Sequence, residues 1–80
     1  MNGKPTEVEA TFTREGDIVL RRFQWRGSWL VVEGLGRCWE DAGDRYFNIV
    51  AMGGRLFELR LDVGTLRWSV VMEPAPGRAA

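Results

Sequence analysis

The sequence predicts an all-β domain, an antiparallel meander of about six strands curled into a small barrel, closed or open. Three observations predict it. Runs rich in Val, Ile, Leu, Phe and Trp are broken by glycine-containing turns at intervals of about 8–12 residues, the spacing of a sandwich or barrel. Within the runs, apolar and polar residues alternate with the two-residue period of a half-buried strand. No long stretch places its apolar residues three and four apart, as an amphipathic helix requires.

The first run, Glu7 to Thr13, sets Val8, Ala10 and Phe12 on one side and Glu7, Glu9 and Thr11 on the other. Arg14-Glu15-Gly16-Asp17 turns the chain into a second run, Ile18 to Trp25, and Arg26-Gly27 turns it again. The third and longest run goes from Ser28 towards Trp39; Gly34 and Gly36 within it predict a bulge or sharp bend. Glu40-Asp41-Ala42-Gly43-Asp44 is a polar turn, with a weak signal for a helical turn over Trp39 to Gly43. Arg45 to Met52 is the fourth strand, and Gly53-Gly54 is a two-residue hairpin loop using the positive φ that glycine permits. Arg55 to Asp62 follows, then the turn Val63-Gly64-Thr65, then the last strand, Leu66 to Met72. Links this short predict antiparallel neighbours, since parallel pairing needs a crossover of about a dozen residues or more. The whole is one domain over residues 6–73, with flexible termini at 1–5 and 74–80.

Alternation also predicts the core. Phe47 and Ile49 share a face, as do Phe57, Leu59 and Leu61, and Leu66, Trp68, Val70 and Met72. Phe23, Val31 and Trp39 are expected inside with them. Asn48, Glu58, Arg60, Arg67 and Ser69 fall on the opposite faces, the pattern of a sheet with one solvated side.

Composition removes whole classes of function. The chain has no histidine, which excludes a Ser-His-Asp or Cys-His centre, a histidine metal site and a histidine pH switch. Its one cysteine, Cys38, cannot form an internal disulfide and is expected to be a buried structural residue beside Trp39. The formal net charge is zero, so the long-range attraction of a dedicated nucleic-acid binder is missing, although a local patch is compatible with it. Met1 to Glu7 carries no apolar signal segment and no run approaches the roughly 18 apolar residues of a membrane span, so a cytoplasmic location is expected.

Charge is nevertheless uneven. Residues 21–37 hold Arg21, Arg22, Arg26 and Arg37 against Glu33, while residues 38–62 carry more acids than bases. Trp25 and Trp29 flank the Arg26-Gly27-Ser28 turn within this basic stretch. An aromatic pair beside arginine can stack bases or anchor a protein partner; the same pair can simply brace a hairpin from across its strands. Arg21, Arg22, Trp25, Arg26 and Trp29 are therefore the candidate binding residues. Glu40, Asp41 and Asp44 offer oxygen ligands but no calcium-loop spacing, so a solvated turn is the reading there. Gly34-Leu35-Gly36 lacks the remainder of a dinucleotide fingerprint. Neither a cofactor nor a metal is expected.

The run Arg22-Phe23-Gln24-Trp25-Arg26-Gly27-Ser28-Trp29-Leu30-Val31-Val32, then Trp39, Tyr46-Phe47, Phe57-Glu58-Leu59 and Trp68, resembles a group of small uncharacterised bacterial β domains. Such domains stand alone in some genomes. In others a similar domain sits at the C-terminus of Y-family DNA-polymerase-like proteins of damage tolerance. The resemblance covers about residues 18–72 and rests on aromatic spacing and turns. It implies an accessory role near DNA repair and transfers no active-site residue. The function expected is that of a non-enzymatic accessory module, monomeric or homodimeric, contacting nucleic acid or protein through Arg21 to Trp29. A protein–protein adaptor or homodimerising domain is the alternative, with a small-ligand barrel behind it.

Overall fold

A computed structural model describes residues 3–74. Among the described residues there are seven strands: β1 (Lys4–Thr6), β2 (Val8–Phe12), β3 (Ile18–Trp25), β4 (Ser28–Asp41), β5 (Asp44–Ala51), β6 (Arg55–Asp62) and β7 (Arg67–Met72). All neighbours pair antiparallel, in the order β1-β7-β6-β5-β4-β3-β2, and the sheet curls into an open half-barrel. The antiparallel meander is as the sequence predicts, with one strand more than expected. The seventh arises because the first run starts earlier, at Lys4, and breaks at Glu7 into β1 and β2. Of the termini expected to be flexible, 1–2 and 75–80 lie outside the described residues, whereas Lys4 and Pro5 belong to a strand.

Two bent strands curl the sheet. β1 pairs with β7 and β2 with β3, so one continuous segment serves both ends of the strand order. At the bend the Gln24 amide donates to the Glu7 carbonyl (2.9 Å), and the Thr6 hydroxyl donates to the Gln24 carbonyl. β4 forms the second bend: Ser28–Val31 pair with β3, and Val32–Asp41 pair with β5. Register shifts place one extra β4 residue at Glu33 and another at Gly36–Arg37, the region where the glycines predict irregularity.

A further bulge explains the adjacent arginines. Leu20 pairs with Ala10 and Arg22 with Glu9, which leaves Arg21 as an extra residue in β3. The alternation slips by one there, so Ile18, Leu20 and Phe23 all turn inward while Arg21 and Arg22 stay outside. Phe23, Phe47, Ile49 and Leu59 are the largest fully enclosed side chains, joined by Leu30, Ala51, Phe57, Leu61 and Val70. Phe23 meets Phe57 edge to face at 4.9 Å, and Phe47 tilts against Trp68 at 5.6 Å. Each fully buried side chain of this kind contributes about 1.5–3 kcal/mol of transfer free energy.

Five expected core positions are corrected. Val31 is 49% exposed and Leu30 is buried in its place. The Arg26-Gly27 turn pairs Trp25 with Ser28, which puts Leu30 beside Phe23 and Val31 beside Arg22 on the outer face. Trp39 follows Val31 outward, because the two β4 bulges cancel in their effect on alternation. Leu66 is 65% exposed: it ends the β6–β7 turn with a positive φ of 62° and is not part of the strand. Met72 pairs with Glu58 across a bulge at Val71 and is exposed. Cys38 is exposed rather than buried, since it sits where β4 has a strand on one side only.

Two turns also differ. Asp41 pairs with Asp44, so Ala42-Gly43 is the whole turn and no helical turn forms over Trp39–Gly43. Ala51 pairs with Arg55, making the next connection a three-residue 3₁₀ turn, Met52–Gly54, in which Gly53 and Gly54 do adopt positive φ (81° and 76°).

Phe47→Ala is expected to lower the unfolding free energy by about 3–5 kcal/mol, and Met72→Ala by less than about 1 kcal/mol. Urea denaturation checks both, and comparable losses would place Met72 in the core.

Candidate functional site

The β3–β4 hairpin is shaped by its two-residue turn. Arg26 and Gly27 both carry positive φ (50° and 81°), the twist that suits antiparallel strands, and glycine takes the second position without a Cβ penalty. The register that follows pairs Trp25 with Ser28 and Gln24 with Trp29. Cross-strand partners share a face and successive residues alternate, so Trp25 and Trp29 project from opposite faces. They flank the turn in sequence but do not meet across it.

The five candidate residues divide accordingly. On the outer face, Trp29 is 37% exposed and the Arg22 guanidinium lies 4.5 Å from its ring centre. Arg22 also donates to both carboxylate oxygens of Glu9, at 3.0 and 3.2 Å. That hydrogen bonding, with the positive charge of Arg22 and Arg21 beside it, holds the Glu9 carboxyl below its ordinary value against a smaller opposing effect of desolvation. Arg21 donates to the Thr11 hydroxyl at 3.1 Å. On the inner side, Trp25 packs edge-on against Phe57 at 5.2 Å. Arg26 and Lys4 both approach its ring, at 5.2 and 5.6 Å, and both reach the Glu73 carboxylate, at 3.7 and 3.5 Å.

This arrangement changes the electrostatics inferred from the linear charge count. Two of the four arginines in residues 21–37 face acids from elsewhere in the chain: Arg22 faces Glu9 and Arg26 faces Glu73. The local excess of positive charge is thereby offset at short range, although exposed pairs of this sort add only about 0–1 kcal/mol to stability.

The bend at Glu7 leaves grooves on either side of the crossing segment. The first, of about 500 Å³, runs between Trp29 and Trp68, with Pro5, Val8 and Leu66 along it and Glu7, Glu9 and Arg67 at its polar edges. The second, of about 340 Å³, is lined by Lys4, Gln24, Trp25, Arg26 and Val70. Trp68 owes its place in the first groove to Thr6, its cross-strand partner in β1. Reading the sequence strand by strand assigns Trp68 to the core and cannot connect it with Trp29; only the curling of the sheet at the Glu7 corner brings the two together.

A second aromatic group lies on the outer face of β4 and β5. Trp39 and Tyr46 are cross-strand partners stacked at 5.3 Å with their planes 6° apart, and Arg37 lies 5.4 Å from the Trp39 ring. The acidic turn nearby holds Glu40 within 3.9 Å of Arg45. Among the described residues, no three His, Cys, Asp or Glu side chains converge closely enough to hold a metal ion, and no helix is long and apolar enough to cross a membrane.

Fold and surface together define a small all-β half-barrel with aromatic-lined grooves along its seam. No family model matches the chain, and no curated protein or solved structure matches it either.

Trp25→Ala, which empties a site against Phe57, is expected to cost about 2–4 kcal/mol, and Trp29→Ala about 1 kcal/mol or less. Thermal unfolding of the two variants tests the division between faces. Because the Glu9 value is lowered in the folded state, its pairing stabilises the fold at neutral pH. That stabilisation is lost as pH falls below the ordinary glutamate value of 4.5 and through the lowered one. In Arg22→Met, an NMR titration of the Glu9 carboxyl should shift upward towards 4.5.

Proposed function

We propose that this chain is a non-enzymatic accessory binding module that seats an extended segment of a partner protein in the groove between Trp29 and Trp68. The observation that carries the reading is the groove itself: about 500 Å³, walled by two tryptophans and largely apolar along Pro5, Val8 and Leu66. Rigid aromatic walls of this kind suit a polyproline-type segment, which is already extended and loses little entropy on docking. Glu7 at the groove edge favours a basic residue on that segment. Trp29 is the expected anchor, with Arg22 behind its ring and fixed by Glu9.

The protein reading is preferred to the nucleic-acid one for an electrostatic reason. A phosphate backbone needs free cations; Arg22 and Arg26 already face carboxylates, which leaves Arg21 and Arg37 in the basic stretch, and at the groove Glu7 and Glu9 outnumber Arg67. The absence of histidine from the sequence supports a role without catalysis. The resemblance to domains attached to damage-tolerance polymerases suggests where such a partner would be sought.

The test is an NMR titration of labelled protein with a proline-rich peptide carrying one arginine, and separately with single- and double-stranded DNA at low and high salt. Peptide-induced shifts are expected on Val8, the Trp29 indole, Leu66 and Trp68. Trp29→Ala should weaken the peptide at least about tenfold while the fold persists. Shifts induced only by DNA, clustered on Arg21, Arg22 and Arg26 and lost as salt rises, would replace this reading with the nucleic-acid one.

A further inference from the structure

The second half of β4 is an open edge of the sheet. From Val32 to Asp41 it is hydrogen-bonded to β5 alone, because its pairing with β3 ends at Val31. The other side of this stretch presents backbone N–H and C=O groups that no described strand takes up, the kind of edge to which another chain adds. We propose that a second copy of this chain adds there, antiparallel and centred on Leu35.

The bulges select the occupant. One extra residue sits at Glu33 and the other at Gly36–Arg37, one on each side of Leu35. A regular strand laid along this edge slips out of register at each bulge. A second copy carries the same two irregularities in the same order. Run antiparallel about Leu35, it brings the Glu33 bulge of each copy against the Gly36–Arg37 bulge of the other, and the register is kept over Val32–Cys38; the ladder ends there, because the edge from Val31 back to Ser28 is already held by β3.

The side chains agree with that register and oppose its neighbours. Glu33 falls opposite Arg37 of the partner copy, and the exchange is repeated by symmetry on the other side. Gly34 falls opposite the partner's Gly36, where no side chain obstructs the approach. Leu35, 52% exposed in the isolated chain, falls opposite its own counterpart and is covered by it. Centring on Arg37 would instead set two guanidinium groups against each other. Exposed ion pairs add little binding energy, so Glu33 and Arg37 act chiefly to set the register. The edge lies at the opposite end of the five-strand run β1-β7-β6-β5-β4 from the seam groove, which dimerisation leaves open.

Sedimentation and light scattering across a concentration series test the proposal on the intact chain, independently of any binding partner. The mass is expected to rise from monomer to dimer. Glu33→Arg and Arg37→Glu should each weaken the dimer about fivefold or more, since like charges then face each other twice. The double exchange should restore it. A register-specific check uses Leu35→Cys in a Cys38→Ser background. Paired Cα atoms about 4.5–5.5 Å apart allow a disulfide at position 35 on mild oxidation. The native Cys38 pair, offset by about 20 Å along the strands, should not cross-link. A monomeric mass at every concentration would overturn the proposal. So would a dimer indifferent to both single charge reversals, or one cross-linked through Cys38 and not through position 35.

Discussion

The hydrogen bond from the Gln24 amide to the Glu7 carbonyl marks the corner on which the half-barrel depends. Before that corner the chain belongs to β7, and after it to β3. A seven-strand meander laid flat would leave an apolar face open to water. Here the first segment ties the two ends of the strand order together, and Phe23, Phe47, Phe57 and Leu59 close on one another. The Thr6 hydroxyl, donating to the Gln24 carbonyl, secures the same point from the preceding residue. The grooves are a consequence of the corner. A strand that changes neighbours cannot pair fully with either, and the space left on each side becomes accessible surface beside Trp25, Trp29 and Trp68.

Bulges do the remaining shaping. At Arg21 an extra residue keeps three apolar side chains of β3 inward although their spacing is irregular. At Val71 another extra residue releases Met72 from the core. In β4 two of them bend the strand away from β3, which is how one strand can serve two neighbours and finish with an unpaired edge. Each is a local departure from alternation with a consequence elsewhere in the sheet, as expected when one slipped residue reverses every side chain beyond it.

Charge around the two hairpin tryptophans is partly neutralised at short range. Glu9 and Glu73, remote in sequence from the basic stretch, return to it in space and face Arg22, Arg26 and Lys4. The tryptophans are framed by these cations: Trp29 has Arg22 over it, and Trp25 has Arg26 and Lys4. Such framing sets each ring beside a cation whose charge is shared with a carboxylate.

The sequence by itself determined the class, the antiparallel meander and the limits of β3 and β6, because turn residues and two-residue periodicity are local signals. It also singled out Arg21, Arg22, Trp25, Arg26 and Trp29 as candidate binding residues, without saying which of the two tryptophans lies at the surface. Facing was legible where alternation ran unbroken, as at Phe47 and Ile49 or at Phe57, Leu59 and Leu61. At Val31 and Trp39 the hairpin register decided the face, and at Met72 a bulge did; neither is written in residue type. The pairing of Trp29 with Trp68 across one groove, and of Arg22 with Glu9, belongs to the tertiary structure alone. These residues meet because the chain passes at Glu7 from one end of the strand order to the other, and such long-range curling depends on the packing of the whole core rather than on any short stretch of chain.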